Sequence, residues 1–318
     1  MPTLVEKKPS PVEKKIKNIH IIINPAAGKG TATLPIINQS MKEAGIKWEI
    51  SVTKQAGDGL LLAKAAVKEG VDAVAVYGGD GTLMEVISGL MGSEVPLVIL
   101  PGGSANIMAT ELGIPKDLKE ACALISQGPL EIRTIDVGQL NKRYFISRIS
   151  VGFEADMVKG ADRKTKNKIG MLAYVFSAFE ALKKIKHPHY HLKIDGKEYE
   201  AQGLTCIVTN VGNLGFTKIS LDKHIDVSDG LLDVIIVRKA NFSMFNHIMT
   251  TLLKRERPDN LELVDHWQGK DIGITSSLKQ MVECDGEILE KVPLNIKIIP
   301  AAIRVLVPLP KKEDKTGA

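Results

Sequence analysis

The sequence predicts an α/β protein in which a parallel-sheet N-terminal domain is followed by a second, β-rich and sandwich-like domain. Up to about residue 130, apolar strand-like runs such as IHIIIN (19–24), DAVAVY (72–77) and PLVILP (96–101) alternate with helix-like runs. This alternation is typical of a mostly parallel sheet covered on both faces. Beyond residue 130, short strand-like runs with tight-turn signals dominate instead, which favours antiparallel pairing.

The pattern in the first half predicts its strands and helices one after another. A helix is predicted over 32–44, ending at Gly45, and a second over 58–69, ending at Gly70. Between them WEISVT is a strand with Trp48, Ile50 and Val52 on one face. TLMEVISGL (82–90) is the next predicted helix, and GGSANIMATELGI (102–114) is a turn that enters another helix.

The second half is predicted to consist mostly of hairpins. Strands pair around Asn141-Lys142, and Asp195-Gly196 is a strong hairpin signal. Two inserts, 167–186 and 242–255, are helix-like, and the final strand IRVLVP could close either half. The remaining predicted strands are LTCIVTN, LLDVIIVRK, DIGITSS and VPLNIKIIP. The predicted domains are therefore 18–133 plus 300–309 and 134–299, with disordered tails at 1–17 and 310–318.

Composition limits the function classes. Of 318 residues, 44% are hydrophobic and 25% are charged, which is ordinary for a soluble globular chain. Aromatic residues reach only 4%, so no stacking platform for nucleic acid is predicted, and the net charge of +5 permits an anionic partner without requiring one. The three scattered cysteines, the absence of a signal peptide and the absence of a 20-residue apolar run predict a cytoplasmic protein.

Three glycine-rich turns between a strand and a helix are the main functional signal. They are Asn24–Gly30 (NPAAGKG), Gly78–Thr82 (GGDGT) and Gly102–Asn106 (GGSAN), the last with Ser104 and Asn106 as donors or caps. Exposed backbone N–H groups at a helix start favour anions, and the carboxyl edge of an open α/β sheet is where ligands bind. None is a Walker A loop or a dinucleotide fingerprint. Together they predict a site for a nucleotide or another phosphate.

Two acidic residues, Asp80 in the second turn and Glu85 in the helix that follows it, lie where an anion would bind. Asp80 would repel phosphate unless a divalent cation such as Mg²⁺ joins them, and the alternative is a helix-capping acid. Glu85 is as compatible with a solvated helix position as with the site.

Two further acidic motifs lie in the second half. Asp285 and Glu287 would share a face of an extended segment, but a plain hairpin with Asp285-Gly286 in its turn is the better explanation of ECDGEIL taken alone. Asp226, Asp229 and Asp233 surround Gly230 with oxygen-rich spacing that suits a hard cation, and an ordinary turn is the alternative.

In this order the motifs resemble the diacylglycerol kinase catalytic domain family, which includes bacterial lipid kinases and sphingosine kinases. The resemblance spans about residues 18–308 through NPAAGKG, GGDGTLMEV, LPGGSANIMA, DVGQLNKRYFISRISVGFEADMV, DGLLDVIIV and CDGE. GGDGT alone is also shared with NAD kinases, so the ordered set is the specific signal. The resemblance implies transfer of the γ-phosphoryl group of ATP to a lipid hydroxyl, with Mg²⁺.

The resemblance also assigns site residues. It maps nucleotide contacts onto Asn24, Pro25, Ala26, Ala27, Gly28, Thr53, Gly79, Asp80, Gly81, Thr82, Leu83, Met84, Glu85 and Ser104. Ser104 replaces the usual threonine and keeps its hydroxyl, whereas Ile107 stands where many members have aspartate.

The resemblance leaves two candidates for the proton acceptor. Bacterial members assign this role to Glu287, and sphingosine kinase relatives assign it to Asp80. Glu287 is the better physical choice, because a base must reach the acceptor hydroxyl rather than the phosphates. Asp285 completes the predicted catalytic set. A structural Mg²⁺ maps to Asp229, with oxygens near Asp226 and Leu231.

The partner implied is a lipid at the membrane surface, with possible homo-oligomers and no nucleic acid. Segment 159–189 supports peripheral membrane association, because an apolar helical stripe is flanked by lysines and arginines, and a core-packed helix is the alternative. A NAD kinase-type phosphotransferase is a second hypothesis, although TNVGN (209–213) lacks the Asn-Glu pair of NAD kinases. A catalytically silent lipid- or nucleotide-binding protein is a third.

Overall fold

The computed structural model describes residues 10–11, 16–28, 33–127, 130–152, 187–213, 225–238, 264–289 and 292–309. The chain divides into two compact units, residues 1–135 with 301–318, and residues 136–300. The predicted helices at 167–186 and 242–255, the tail 310–318 and almost all of the amphipathic segment 159–189 lie outside the described residues.

The first unit is built from alternating strands and helices. Its elements are β1 (Ser10–Pro11), β2 (Asn18–Ile23), α1 (Thr33–Ala44), β3 (Lys47–Val52), α2 (Asp58–Lys68), β4 (Ala73–Gly78), α3 (Asp80–Leu90), β5 (Leu97–Pro101), α4 (Ile107–Glu111), α5 (Leu118–Gln127) and the start of β6 (Leu130–Leu140). Strands β3, β2, β4 and β5 lie side by side in that order and are all parallel. The predicted α/β class is confirmed.

Burial follows the hydrophobic pattern in the middle of this sheet and departs from it at the edge. Every residue of β4 and β5 is buried, as continuous apolar runs in a parallel sheet require. The predicted apolar face of β3 is not buried: Trp48 is half-buried, and Ile50 and Val52 remain 39% and 46% exposed. The reason is position, because β3 ends the strand order and only β2 pairs with it among the described strands.

The expectation of a disordered segment over 1–17 does not hold at β1. Ser10 and Pro11 pair antiparallel with Ile132 and Glu131 of β6. Two backbone pairs to a distant strand leave no periodic trace in the sequence, so this short strand could not be read from the pattern of side chains.

The second unit is antiparallel. Its further strands are β7 (Arg143–Phe145), β8 (Arg148–Gly152), β9 (His189–Ile194), β10 (Lys197–Gln202), β11 (Thr205–Thr209), β12 (Leu232–Val237), β13 (Val264–Gly269), β14 (Asp271–Ser276), β15 (Val282–Cys284), β16 (Glu287–Leu289) and β17 (Leu294–Pro308). One row runs β10–β9–β14–β17, and a second sheet runs β13–β12–β11–β8–β15–β16. One apolar cluster, including Tyr190, Phe145, Ile149 and Ile272, draws side chains from both rows. This confirms the β-rich, sandwich-like prediction.

Both predicted two-residue hairpins are confirmed. Leu140 pairs with Arg143 across Asn141-Lys142, and Ile194 pairs with Lys197 across Asp195-Gly196. Asn141, Asp195 and Gly196 have φ values of 55°, 48° and 82°, the left-handed backbone that short Asn- and Gly-containing hairpin turns use.

The last two predicted strands form one. Strand β17 runs without interruption over 15 residues, with Ala301 at φ 49°. The unit boundary follows Pro300: Leu294–Lys297 pair with β14 in the second unit, and Val305 pairs with Leu97 of β5 in the first. One strand therefore contributes to both halves, whereas the sequence left open which half it would join.

Candidate active site

The three glycine-rich turns lie at one edge of the parallel sheet. Strands β2, β4 and β5 are direct neighbours, and each runs into its turn at its carboxyl end. The prediction that successive turns line one carboxyl edge is confirmed. This edge is where open α/β sheets bind ligands.

Backbone hydrogen bonds join the three turns. The Gly28 N–H donates to the Gly102 carbonyl at 2.8 Å, and the Gly102 N–H donates to the Gly78 carbonyl at 2.9 Å. The Asn24 N–H donates to the Tyr77 carbonyl, also at 2.9 Å. The turns therefore form a connected backbone surface rather than three independent loops.

The side chain of Asn24 connects the first turn to the second. Its Oδ1 accepts the Ala26 N–H at 2.9 Å, which closes the first turn locally. Its Nδ2 donates to Oγ1 of Thr82 at 2.8 Å, on the helix that follows the second turn. Asn24 and Thr82 thus fix each other, and Thr82 does not cap its own helix with its hydroxyl.

Two glycines in these turns are fixed by their backbone conformation or by close neighbours. A Cβ on Gly103 would lie 2.6 Å from the Gly79 Cα, a contact that only backbone movement could relieve. In the first turn Gly28 has φ 83°, and a Cβ there would meet the Tyr77 hydroxyl at 2.3 Å. In contrast, a Cβ on Gly81 meets nothing within 4 Å, so the start of α3 borders open space.

Asp80 caps the neighbouring helix rather than its own. Its Oδ1 accepts the Ile107 N–H at 2.8 Å, and its Oδ2 accepts the Asn106 N–H at 3.1 Å. Burial raises the pKa of this carboxyl, and the two N–H donors oppose that shift. Asp80 therefore holds the third turn against the second.

Glu85 has a comparable role at another helix. Its two oxygens accept the N–H groups of Gly57 and Gly59 at 2.8 and 2.9 Å, at the start of α2. Glu85 is therefore neither a freely solvated residue nor, by its own contacts, directed at a phosphate.

The other predicted nucleotide contacts differ in exposure. Pro25, Ala26 and Ser104 are exposed, and Ala27 and Met84 are half-buried. Leu83 is only 4% exposed and belongs to the core, so this position offers a ligand backbone atoms alone. Thr53 is 8% exposed, and its hydroxyl is 3.5 Å from the Ile23 carbonyl. Asn106 is buried, bonded through Oδ1 to the Gly103 N–H, and shapes the third turn.

In the second unit, Asp285 and Gly286 are the turn of a hairpin. Cys284 pairs with Glu287, and the φ values of 48° and 91° at Asp285 and Gly286 are those of a two-residue turn with both residues left-handed. The hairpin that the sequence favoured for ECDGEIL is confirmed, and the alternative of a shared face for Asp285 and Glu287 is excluded because the backbone reverses direction between them.

The carboxylate of Asp285 organises the β7–β8 connection. It accepts the N–H groups of Ile146, Ser147 and Arg148 at 2.8, 2.9 and 3.0 Å. On the other side of the turn, the buried Glu283 carboxylate accepts the Gly286 N–H. Asp285 is therefore a positioning residue for the turn that carries Glu287.

Glu287 stands at the start of β16 with 64% of its side chain exposed. Its carboxylate is paired with the guanidinium of Arg143 on β7. An exposed carboxylate on a braced turn can accept a proton from an incoming hydroxyl. Sequence reasoning missed Arg143, because the pairing joins residues 144 positions apart and no local motif marks it.

The predicted metal loop lies before β12. Asp226 Oδ1 accepts the Ser228 N–H and Asp229 Oδ1 accepts the Leu231 N–H, both at 2.9 Å. Burial raises the pKa of Asp229 to about 6, with further contributions from Asp233, Asp226 and Asp136. Sequence reasoning missed Asp136, whose Oδ2 accepts the Gly230 N–H at 2.7 Å from β6.

This loop fits a hard cation by the chemistry of its donors. Carboxylate and backbone oxygens are what Mg²⁺ and Ca²⁺ take, and a bound cation offsets the repulsion among neighbouring acids. Asp226, Asp229 and the carbonyl of Leu231 could hold it. Leu231 would contribute only backbone, since its side chain carries no ligand atom.

Three glycine-rich turns on one edge of a parallel sheet, followed by an antiparallel sandwich, define an α/β protein with a β-rich second half. The profile for the diacylglycerol kinase catalytic domain matches residues 18–140. The profile for the YegS C-terminal NAD kinase beta sandwich-like domain matches residues 147–307. The chain belongs to the diacylglycerol kinase family.

Related proteins can be aligned with this chain over most of their length. A diacylglycerol kinase of Staphylococcus saprophyticus is 30% identical, over 94% of this chain and 98% of the relative. The diacylglycerol kinase of Bacillus subtilis is 29% identical, over 94% and 99%. A crystal structure from Bacillus anthracis, of a candidate diacylglycerol kinase, superposes with a TM-score of 0.76 at 26% identity, covering 93% and 99%. Within the described part of this chain, no helix is long and apolar enough to cross a membrane.

Proposed function

We propose that this protein transfers the γ-phosphoryl group of ATP to the hydroxyl of a lipid, with a diacylglycerol-like acceptor favoured. The observation that carries the proposal is the bonded set of three turns at the edge formed by β2, β4 and β5. Membership in the diacylglycerol kinase family supports the acceptor class. Phosphoryl transfer depends on positioning and charge neutralisation more than on covalent chemistry, which suits a rigid backbone cradle.

The nucleotide side of the proposal uses the first unit. The N–H groups of the turns and the start of α3, where Gly81 borders open space, would hold the phosphates. Asp80 and Asn24 keep the turns in register through the bonds described above. Mg²⁺ would neutralise phosphate charge, and the carboxylate of Asp80 is the acid that the turns place beside it.

The acceptor side of the proposal uses the second unit. Glu287 takes the proton of the lipid hydroxyl, Asp285 holds the turn, and Arg143 orients the carboxylate. Asp226, Asp229 and Leu231 would hold a second, structural cation that stabilises the loop before β12. The lipid would be met at a membrane surface, with the protein bound peripherally.

A kinase assay tests the proposal directly. The full chain is incubated with labelled ATP, Mg²⁺ and mixed micelles that contain diacylglycerol, and the lipid product is identified. A total lipid extract and NAD serve as parallel acceptors. We expect labelled phosphatidic acid, dependent on Mg²⁺ and on Glu287. Labelling of NAD alone would favour the NAD kinase hypothesis, and ATP binding without any labelled product would favour a silent binding protein.

A further inference from the structure

A histidine and two glutamates lie together on one face of the β2–β3 pair. His20 on β2 is in direct register with Glu49 on β3, and Glu69 follows the last residue of α2. One ligand atom from each of the three residues lies within 4.8 Å of the other two. Among the described residues, it is the one group of three or more His, Cys, Asp or Glu side chains whose ligand atoms lie this close together. His20 precedes Asn24 by four residues, about 13 Å along the strand, so the group is separate from the glycine turns.

His20 has one ring nitrogen bonded and one without a hydrogen-bond partner. Its Nε2 lies 2.9 Å from Oγ of Ser51, which shares a face of β3 with Glu49. Its Nδ1 is buried and finds no hydrogen-bond partner among the described residues; the Glu69 Oε2 lies 3.7 Å away. The residue is only 7% exposed, so water does not readily satisfy this nitrogen. Buried polar atoms without partners are costly and uncommon in native proteins.

This arrangement is the one that metal-bound histidines adopt. One ring nitrogen is fixed by a hydrogen bond, which sets the ring orientation and the tautomer, and the other faces the ion. Here Ser51 fixes Nε2 and leaves Nδ1 facing the carboxylate of Glu69, while Glu49 belongs to the same group of ligand atoms.

The charges around Nδ1 also call for a cation. Glu49 and Glu69 are both exposed acids whose oxygens approach each other closely. Glu69 is the C-cap of α2, where the helix dipole favours positive charge and disfavours an acid. A divalent ion would relieve the repulsion between the carboxylates and complement the helix end.

We propose that His20, Glu49 and Glu69 form a binding site for a divalent transition-metal ion of the Zn²⁺ type. One imidazole nitrogen and two carboxylate oxygens are a Zn²⁺ ligand set, and water would complete a four-coordinate shell. The imidazole selects such ions over Mg²⁺, which prefers oxygen ligands alone. The ion would join β2, β3 and the end of α2, and stabilise the edge of the sheet independently of the proposed kinase reaction.

Calorimetric titration of the full chain with Zn²⁺, in excess Mg²⁺ to fill the oxygen sites, tests the proposal. We expect one tight site, and a higher melting temperature when Zn²⁺ is present. Glu49→Gln and Glu69→Gln should each weaken binding at least about tenfold, and Ser51→Ala should weaken it about 10–100-fold as the partner that orients the ring. Both glutamates are exposed, so their variants should fold.

Glu200→Gln is the matched control. Glu200 lies 3.2 Å from Nδ1 of His191, an exposed histidine–glutamate pair to which the described residues add no third ligand. This variant should bind Zn²⁺ as tightly as the parent. An equal loss in Glu200→Gln, or no loss in both Glu49→Gln and Glu69→Gln, would overturn the proposal.

A second measurement separates a metal from a proton at the same nitrogen. The ¹⁵N resonance of His20 Nδ1 should move to the range of a metal-bound nitrogen when Zn²⁺ is added, and should not move with Mg²⁺. A resonance that changes only with pH would show that a proton alone occupies the cluster, and would refute the site. His20→Gln should remove binding; if that variant does not fold, the two glutamate variants decide.

Discussion

Oδ1 of Asp80 lies 2.8 Å from the backbone nitrogen of Ile107, so an acid on the second glycine turn caps the helix that follows the third. The second oxygen of the same carboxylate accepts the N–H of Asn106. Since Asp80 is committed to backbone donors, its geometry supports a positioning role. Glu287, exposed and on a separate turn, is better suited to receive a proton from a substrate.

Replacing Asp80 should therefore loosen the site before it changes the chemistry. We expect Asp80→Ala to lower the free energy of unfolding by about 1.5–3 kcal/mol, because it leaves two N–H groups without a charged acceptor. ATP affinity should fall in the same variant, since the third turn loses its hold on the second. Urea denaturation and ATP titration would measure both effects.

Asp80→Asn refines that experiment. The amide keeps one acceptor oxygen but turns an NH₂ towards a second N–H donor, so stability should fall by less than in Asp80→Ala. If Asp80 were the proton acceptor, Asp80→Asn would abolish turnover while ATP binding and stability remained near those of the parent. That result would contradict the positioning role.

Glu287→Gln should remove phosphoryl transfer and leave the fold intact. The side chain is exposed and its pairing with Arg143 lies at the surface, where ion pairs contribute about 0–1 kcal/mol. We expect kcat to fall by at least about 100-fold, the usual contribution of general base catalysis, at unchanged ATP affinity.

Glu94→Gln is the matched control for Glu287→Gln. Glu94 is an exposed acid that pairs with Arg304 at 2.8 Å, as Glu287 pairs with Arg143, but it lies outside the proposed site. Turnover should be unaffected. Equal activity of Glu287→Gln and Glu94→Gln would eliminate Glu287 as the base, and an Arg143→Gln variant would then show whether the pairing matters on its own.

Gly103→Ala should disturb both stability and nucleotide binding. The new Cβ would lie 2.6 Å from the Gly79 Cα, and a backbone atom cannot move aside without shifting its turn. Overpacking of this kind costs about 1–3 kcal/mol. Thermal denaturation and ATP titration would show a lower melting temperature together with weaker binding.

Gly81→Ala separates these two effects. A Cβ at Gly81 meets nothing within 4 Å, and alanine favours a helix over glycine by up to about 1 kcal/mol. Stability should be unchanged or higher. ATP affinity should still fall if the phosphates approach this backbone. Normal ATP affinity in Gly81→Ala would place the nucleotide elsewhere on the edge.

The sequence predicted those features that depend on local pattern. Continuous apolar runs marked β4 and β5, glycine-rich turns marked the ligand edge, and Asp195-Gly196 marked its hairpin, because each depends on residues near in sequence. The strand β3 was also predicted, but alternation identifies an apolar face without revealing whether another layer covers it, and Ile50 and Val52 remain exposed.

What the sequence could not supply was pairing over long distances. Asp80 with Ile107, Asp285 with Ile146, and Arg143 with Glu287 join residues 27, 139 and 144 positions apart. Each acid was noticed as a candidate for chemistry, yet the contacts of Asp80 and Asp285 show them bracing backbone. Only the folded topology determines which acids are committed to N–H donors and which remain exposed.

Asp229 should make stability depend on pH when divalent cations are removed. Burial raises its pKa in the folded protein from 3.8 to about 6, so the folded state retains a proton that the unfolded state has lost. The free energy of unfolding should therefore decrease as pH rises from about 4 to about 6, and change no further above that. Mg²⁺ should oppose this decrease, because it binds the ionised carboxylate. Urea denaturation across this range, with EDTA or with Mg²⁺, measures both effects.

The Asp229→Asn variant is the control, because its side chain still accepts the Leu231 N–H but does not titrate. Its stability should therefore lack this dependence on pH between about 4 and 6, and Mg²⁺ at the loop should not raise it. Identical curves for Asp229→Asn and the parent would rule out both the raised pKa and the cation at this loop.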